Sequence, residues 1–170
     1  MLREADIILV QGHSWATAPV QWVTGGRVSH AGLVIAIKPF PIIIESTWPR
    51  VRTVPLSKMI EDDELVLALE AQNLTDYERG EIVNEALKFS ATNYSLVKAG
   101  MLGMDNLLDT DFFTSHFNFT NNSICCYLDV VSYRKMRKFF GKAPDANVDC
   151  EDMLKFAESH PHIFKILRLR

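Results

Sequence analysis

Apolar residues cluster differently in the two halves of the chain. In the first half they come in short unbroken or alternating runs. "ADIILVQ" (residues 5–11) reads as a buried strand, and "HAGLVIAI" (30–37) as a second. "KPFP" turns the chain, and "IIIES" (42–46) returns it, so these two runs predict a hairpin. Residues 51–54 and "ELVLALEA" (64–71) add further strands. "WATAPVQWVTGG" (15–26) reads as a short helix, with Ser14 as N-cap and Gly25–Gly26 ending it.

The second half changes period. Ile82, Val83, Ala86 and Leu87 fall at helical spacing within residues 76–89, behind the cap signals Thr75 and Asp76. A glycine-interrupted helix is predicted over 97–108, and a loop rich in Asn, Thr and Phe over 109–123. "ICCYLDVVSYRKMRKFF" (124–140) starts a helix just past an Asn-Asn-Ser cap signal. Residues 150–158 form a short helix and 162–169 a closing strand. Strands followed by helices predict an α+β domain rather than an alternating α/β fold.

The length, 170 residues, fits a single domain spanning 1–170 with a sizeable core. The formal net charge of -3 makes no electrostatic case for nucleic acid as a partner. The basic stretches "SYRKMRKFFGK" and "KILRLR" are local, and "KMRKFF" reads as a solvated helix face. No apolar run is long enough to span a bilayer. The opening "MLREADIILVQGHSW" lacks a small-residue cleavage pattern, so the expected compartment is the cytoplasm. Three cysteines, two of them adjacent, make neither a disulfide framework nor a zinc spacing, and no metal ligand or cofactor is expected. Asp105, Asp109 and Asp111 form no calcium loop.

A thiol nucleophile fits this cysteine usage better. A free cysteine is mostly protonated near neutral pH, and a helix N-terminus or a nearby imidazolium lowers its pKa. Cys125 and Cys126 stand at a predicted helix start; His30 opens an apolar strand and is a candidate base. Glu45 lies on the returning strand of the hairpin, near the level of residues 30 and 31, where a carboxylate orients the ring. The bland readings are a core histidine, a surface ion-pairing glutamate and packed thiols. For Cys150 the structural reading is preferred.

"ADIILVQ…TGGRVSHAGLVIA…IIIEST…ICCYLDVV" resembles the circularly permuted, papain-like branch of the NlpC-type cell-wall hydrolase superfamily, often called YiiX/YebB-like. The closing "VDCEDMLKFAESHPHIFKIL" is similar to that family's last segment. The resemblance implies a permuted papain-like fold, a small antiparallel sheet packed against helices. It implies His30 as base, Glu45 as orienting residue and one cysteine of the pair as nucleophile. The family's Cys-Ser-x-Leu-Val pattern is better preserved if Cys125 is the nucleophile, with Cys126 as the alternative. Asp129 then stands where Val is usual.

The implied activity is hydrolysis of an amide bond in a small peptide, amide or acyl substrate through an acyl-enzyme, a peptidase or amidase reaction. Gln11, His13 and Trp15 follow the first strand and are candidates to line the cleft. The phenylalanines of "FFTSHFNF" are candidates for a substrate wall, and His116 reads as a bystander. One rival is a lipid ester hydrolase or acyltransferase of the lecithin–retinol acyltransferase type, whose Asn-Cys-Glu-His signature is absent. The other is a binding module without catalysis.

Overall fold

The computed structural model describes residues 1–11, 26–61, 63–93, 104, 105, 108, 110, 125–134 and 148–170. The helix expected over 15–26, most of that over 97–108, the loop 109–123 and residues 135–140 lie outside them.

The strands are β1 (Ile7–Val10), β2 (His30–Ala36), β3 (Ile42–Thr47), β4 (Arg50–Pro55), β5 (Val66–Ala71) and β6 (Phe164–Arg168). The helices are α1 (Leu56–Met59), α2 (Asp76–Leu87), α3 (Cys125–Arg134) and α4 (Cys150–Ser159). The strands form one six-stranded antiparallel sheet in the order β4-β3-β2-β1-β5-β6. The α+β expectation holds for the described residues. The one-turn helix α1 has no counterpart in the sequence reading, because four residues are too few to show a helical period.

Period-2 geometry sends alternate residues to opposite faces of the sheet. Ile7, Leu9, Ala31, Leu33, Ile44 and Leu69 join residues of α2, α3 and α4 in the larger core cluster. Ile8, Val10, Val34, Ile43, Val66 and Ala68 form a second cluster, covered by Leu2, Leu56, Met59 and Ile60. Both faces of β1 are therefore buried, which explains why "IILV" is apolar without alternation. α3 packs on β2, β3 and α2, while α4 packs beside β6.

Reciprocal caps fix where two of the helices begin. Thr75 Oγ1 accepts from the Glu78 N–H at 3.2 Å, and Glu78 Oε2 accepts from the Thr75 N–H at 2.8 Å. Asp149 and Asp152 repeat the arrangement at α4. α2 is also tied to the sheet by a buried ion pair that the sequence reading missed. Arg79 donates to Asp6 Oδ1 at 3.1 Å, to the Glu4 carbonyl at 2.5 Å and to the Ala71 carbonyl at 2.6 Å. On α3, the Tyr133 hydroxyl donates to the Ala5 carbonyl, and the Tyr133 ring tilts against Phe164, 5.6 Å between centroids.

Candidate functional site

The β2–β3 hairpin sets the first part of the site. Its register pairs Gly32 with Glu45, one residue further along than the expected level of 30 and 31. The bulge between Val34 and Ala36, nearer the turn, moves the register one residue toward that level; without it Glu45 would face Leu33. His30 is thus a diagonal neighbour of Glu45 on an adjacent strand, a relation that long side chains bridge. His30 Nε2 lies 2.7 Å from Glu45 Oε2. Gly32, between them, has no room for a side chain: a Cβ there would sit 2.6 Å from Ile43 Cγ2.

Glu45 is also bound from its other side. Arg52 faces it directly across the β3–β4 pair and donates from Nε to Glu45 Oε1 at 2.8 Å. The carboxylate is 3% exposed, and two cationic partners compensate that burial. Burial pushes its pKa up, but the His30 and Arg52 hydrogen bonds win and hold it below the usual carboxylate range.

Cys125 heads the described part of α3, toward the end where the helix dipole favours negative charge. Its side chain interacts with that of His30, whose Nε2 is already held by Glu45. Its Sγ lies 3.9 Å from the Ser29 carbonyl oxygen. Ser29 Oγ in turn donates to the Gln11 carbonyl, so β2 is anchored beside the end of β1. Burial lowers the His30 pKa, but the hydrogen bonds to Cys125 and Glu45 outweigh it and raise the ring to about 10. Cys125 moves the opposite way, well below the usual thiol range. Hydrogen bonds from the Cys126 and Cys150 thiols act with His30 against burial.

Cys126 and Cys150 are raised well above the usual thiol range, since losing a proton beside Cys125 is unfavourable for either. The two neighbours also differ in access. Cys125 is half-buried, whereas Cys126 is 3% exposed and faces the core.

Cys150, expected to be structural, is buried in the larger core cluster. As the first residue of α4 it brings its sulfur 3.7 Å from that of Cys125, and all three sulfurs lie within 4.8 Å of one another. These are the residues of the site that could hold a metal ion. The sequence reading tested for close-spaced Cys/His pairs, and a ligand contributed by a separate helix escapes such a test. Arg27 explains how α4 reaches the site. It binds Glu151 through its backbone N–H (2.8 Å), Nε (3.2 Å) and one terminal nitrogen (3.0 Å), and it also pairs with Glu158 (2.8 Å). The segment entering β2 is thereby fastened to α4.

Asp129, one turn into α3, is fully buried, and neither carboxyl oxygen has a hydrogen-bond partner. Burial first, then the nearby Cys125, pushes its pKa well up. Its place in the apolar run "CCYLDVV" was the one sequence signal of this feature. Of the residues expected to line the cleft, Gln11 is partly buried at the end of β1, while His13 and Trp15 lie outside the described residues.

No family model and no curated protein matches the chain. A solved structure does, the metalloprotein YiiX from Escherichia coli O157:H7. The similarity has a TM-score of 0.62 over 82% of this chain and 69% of that one, at 15% identity. The chain shares the fold of YiiX. Among the described residues, no helix is long and apolar enough to cross a membrane.

Proposed function

We propose that the protein is a cysteine hydrolase on a circularly permuted papain-like scaffold, with Cys125 as nucleophile, His30 as general acid and base, and Glu45 as the residue orienting the ring. The observation that carries this reading is the 2.7 Å contact between His30 Nε2 and Glu45 Oε2 beside a half-buried cysteine at a helix start. Partial exposure and a low thiol pKa favour Cys125 over Cys126 as the attacking group.

Cys125 Sγ attacks the carbonyl carbon, and backbone N–H groups at the start of α3 face the developing oxyanion. His30 passes its proton to the leaving nitrogen as the C–N bond breaks, leaving a thioester. The ring then takes a proton from water, which attacks the thioester and releases the acid and the Cys125 thiolate. Throughout, Glu45 compensates the positive ring and Arg52 compensates Glu45. The substrate class is a small peptide, amide or acyl compound.

The test is intact-mass analysis after exposure to activated peptide, amide and lipid-ester probes. A mass gain of one acyl group is expected in the parent and in Cys126→Ala, and none in Cys125→Ala. Labelling that survives Cys125→Ala overturns the assignment. Labelling by lipid esters alone redirects the reading to a lipid ester hydrolase, and no labelling by any probe favours a binding module.

A further inference from the structure

We propose that Cys125, Cys126 and Cys150 form a binding site for one thiophilic d10 divalent cation of the zinc class. The three sulfurs lie within 4.8 Å of one another, and the Cys125–Cys150 separation is 3.7 Å. Two thiolates bound to one zinc at about 2.3 Å in tetrahedral geometry stand about 3.8 Å apart. The Cys125–Cys150 spacing therefore already matches shared coordination, and it is far too long for a disulfide, whose S–S distance is about 2.05 Å.

The ligands come from rigid elements. Cys125 and Cys126 head the described part of α3, and Cys150 opens α4. Two helix N-termini thus converge on one point, and their dipoles favour the anionic centre that three thiolates and a dication create. The Arg27 contacts with Glu151 and Glu158 hold α4 in place without the metal, so the site is preformed. Cys126 and Cys150 are buried, and Cys125 is the more accessible of the three. Three protein ligands leave a fourth position open to water. Sulfur donors select soft cations over calcium or magnesium.

Binding breaks the two S–H bonds of Cys126 and Cys150, releases their protons to the buffer and forms three metal–sulfur bonds; the Cys125 thiolate brings no proton, since its own rests on His30. No oxidation state changes. Occupancy removes Cys125 from nucleophilic chemistry, so the cation acts as a reversible inhibitor of acyl transfer. That consequence rests on the hydrolase reading; the binding itself does not.

The probe is cadmium chloride added to reduced, metal-free protein, followed by thiolate-to-metal charge-transfer absorbance and native mass spectrometry, with zinc chloride as competitor. The expected result is one ion per chain, a mass increment of one cadmium less two protons, and two protons released to the buffer. Cys126→Ser and Cys150→Ser should each bind at least about 100-fold more weakly, with one proton released. A folded parent that shows no charge-transfer band or displaces no protons overturns the proposal, whatever the variants do. So does unchanged affinity in both folded variants. Acyl-probe labelling of Cys125 should be blocked by cadmium and restored by a chelator. Metal binding without labelling in any state sinks the hydrolase reading and leaves the metal site standing; labelling without metal binding does the reverse.

Discussion

Replacing Glu45 by Gln keeps the side chain's shape and a carbonyl oxygen facing His30 Nε2, but removes the charge. A hydrogen bond to a charged group contributes about 1.5–3 kcal/mol and a neutral one about 0.5–1.5, so the change withdraws roughly 1–1.5 kcal/mol from the protonated ring. At about 1.4 kcal/mol per pH unit, His30 should titrate roughly one unit lower, near 9 instead of about 10. The ring then remains charged at neutral pH, because Cys125 still faces it. The freed Arg52 side chain is more than half exposed, so its lost pairing costs little. The assay is 15N-detected NMR of the imidazole nitrogens in parent and Glu45→Gln, with a chelator present. Stability must follow with a defined sign. His30 is raised on folding, so its contribution is full below about pH 6.5 and fades as pH climbs toward 10. In Glu45→Gln the fading should finish about one pH unit earlier. A parent ring titrating near its ordinary value, or a variant that titrates with the parent, would refute the reasoning.

Four other outcomes are expected. Arg79→Leu strands the buried Asp6 carboxylate and should cost about 3–5 kcal/mol in urea denaturation, far more than removal of the exposed Lys58–Glu61 pair. Gly32→Ala forces a methyl against Ile43 and should cost about 1–3 kcal/mol while weakening acyl-probe labelling of Cys125; a neutral effect on both would show that the strands part easily. Asp129→Asn should gain stability over the parent as pH rises. Asp129 is raised on folding, so the parent loses stability from about pH 4 upward and the amide does not, which denaturation at pH 5 and pH 8 compares. Exposed Ala91 sits at φ 65°, so Ala91→Gly should raise stability by about 0.5–1 kcal/mol, read as a shift in urea midpoint at constant slope.

What could be read beforehand follows the reach of each signal. The β2–β3 hairpin was legible because alternating apolar runs and an intervening Pro-containing turn are local, and with the hairpin came the His30–Glu45 pairing. The Arg52 contact was within the same reach, since residues 45 and 52 face each other across one further turn, yet "EST-WPRVR" carries charge without period. The polar residues before Cys125, read as a cap signal, lie outside the described residues. Nothing local joins Asp6 to Arg79 or Cys150 to Cys125. Those meetings depend on how helices lie across a finished sheet, and single-chain periodicity says only which face is apolar. Asp129 shows the reverse case: the break in the apolar pattern was visible, but its complete burial needed the packed structure.

Five of the six strands lie within the first 71 residues, whereas the sulfur that meets Ser29 arrives 96 positions later. A growing chain therefore holds an imidazole and its carboxylate ready long before any thiol emerges beside them. The three-sulfur cluster can form only after both later helices have been made, since one of its thiols stands on the last of them.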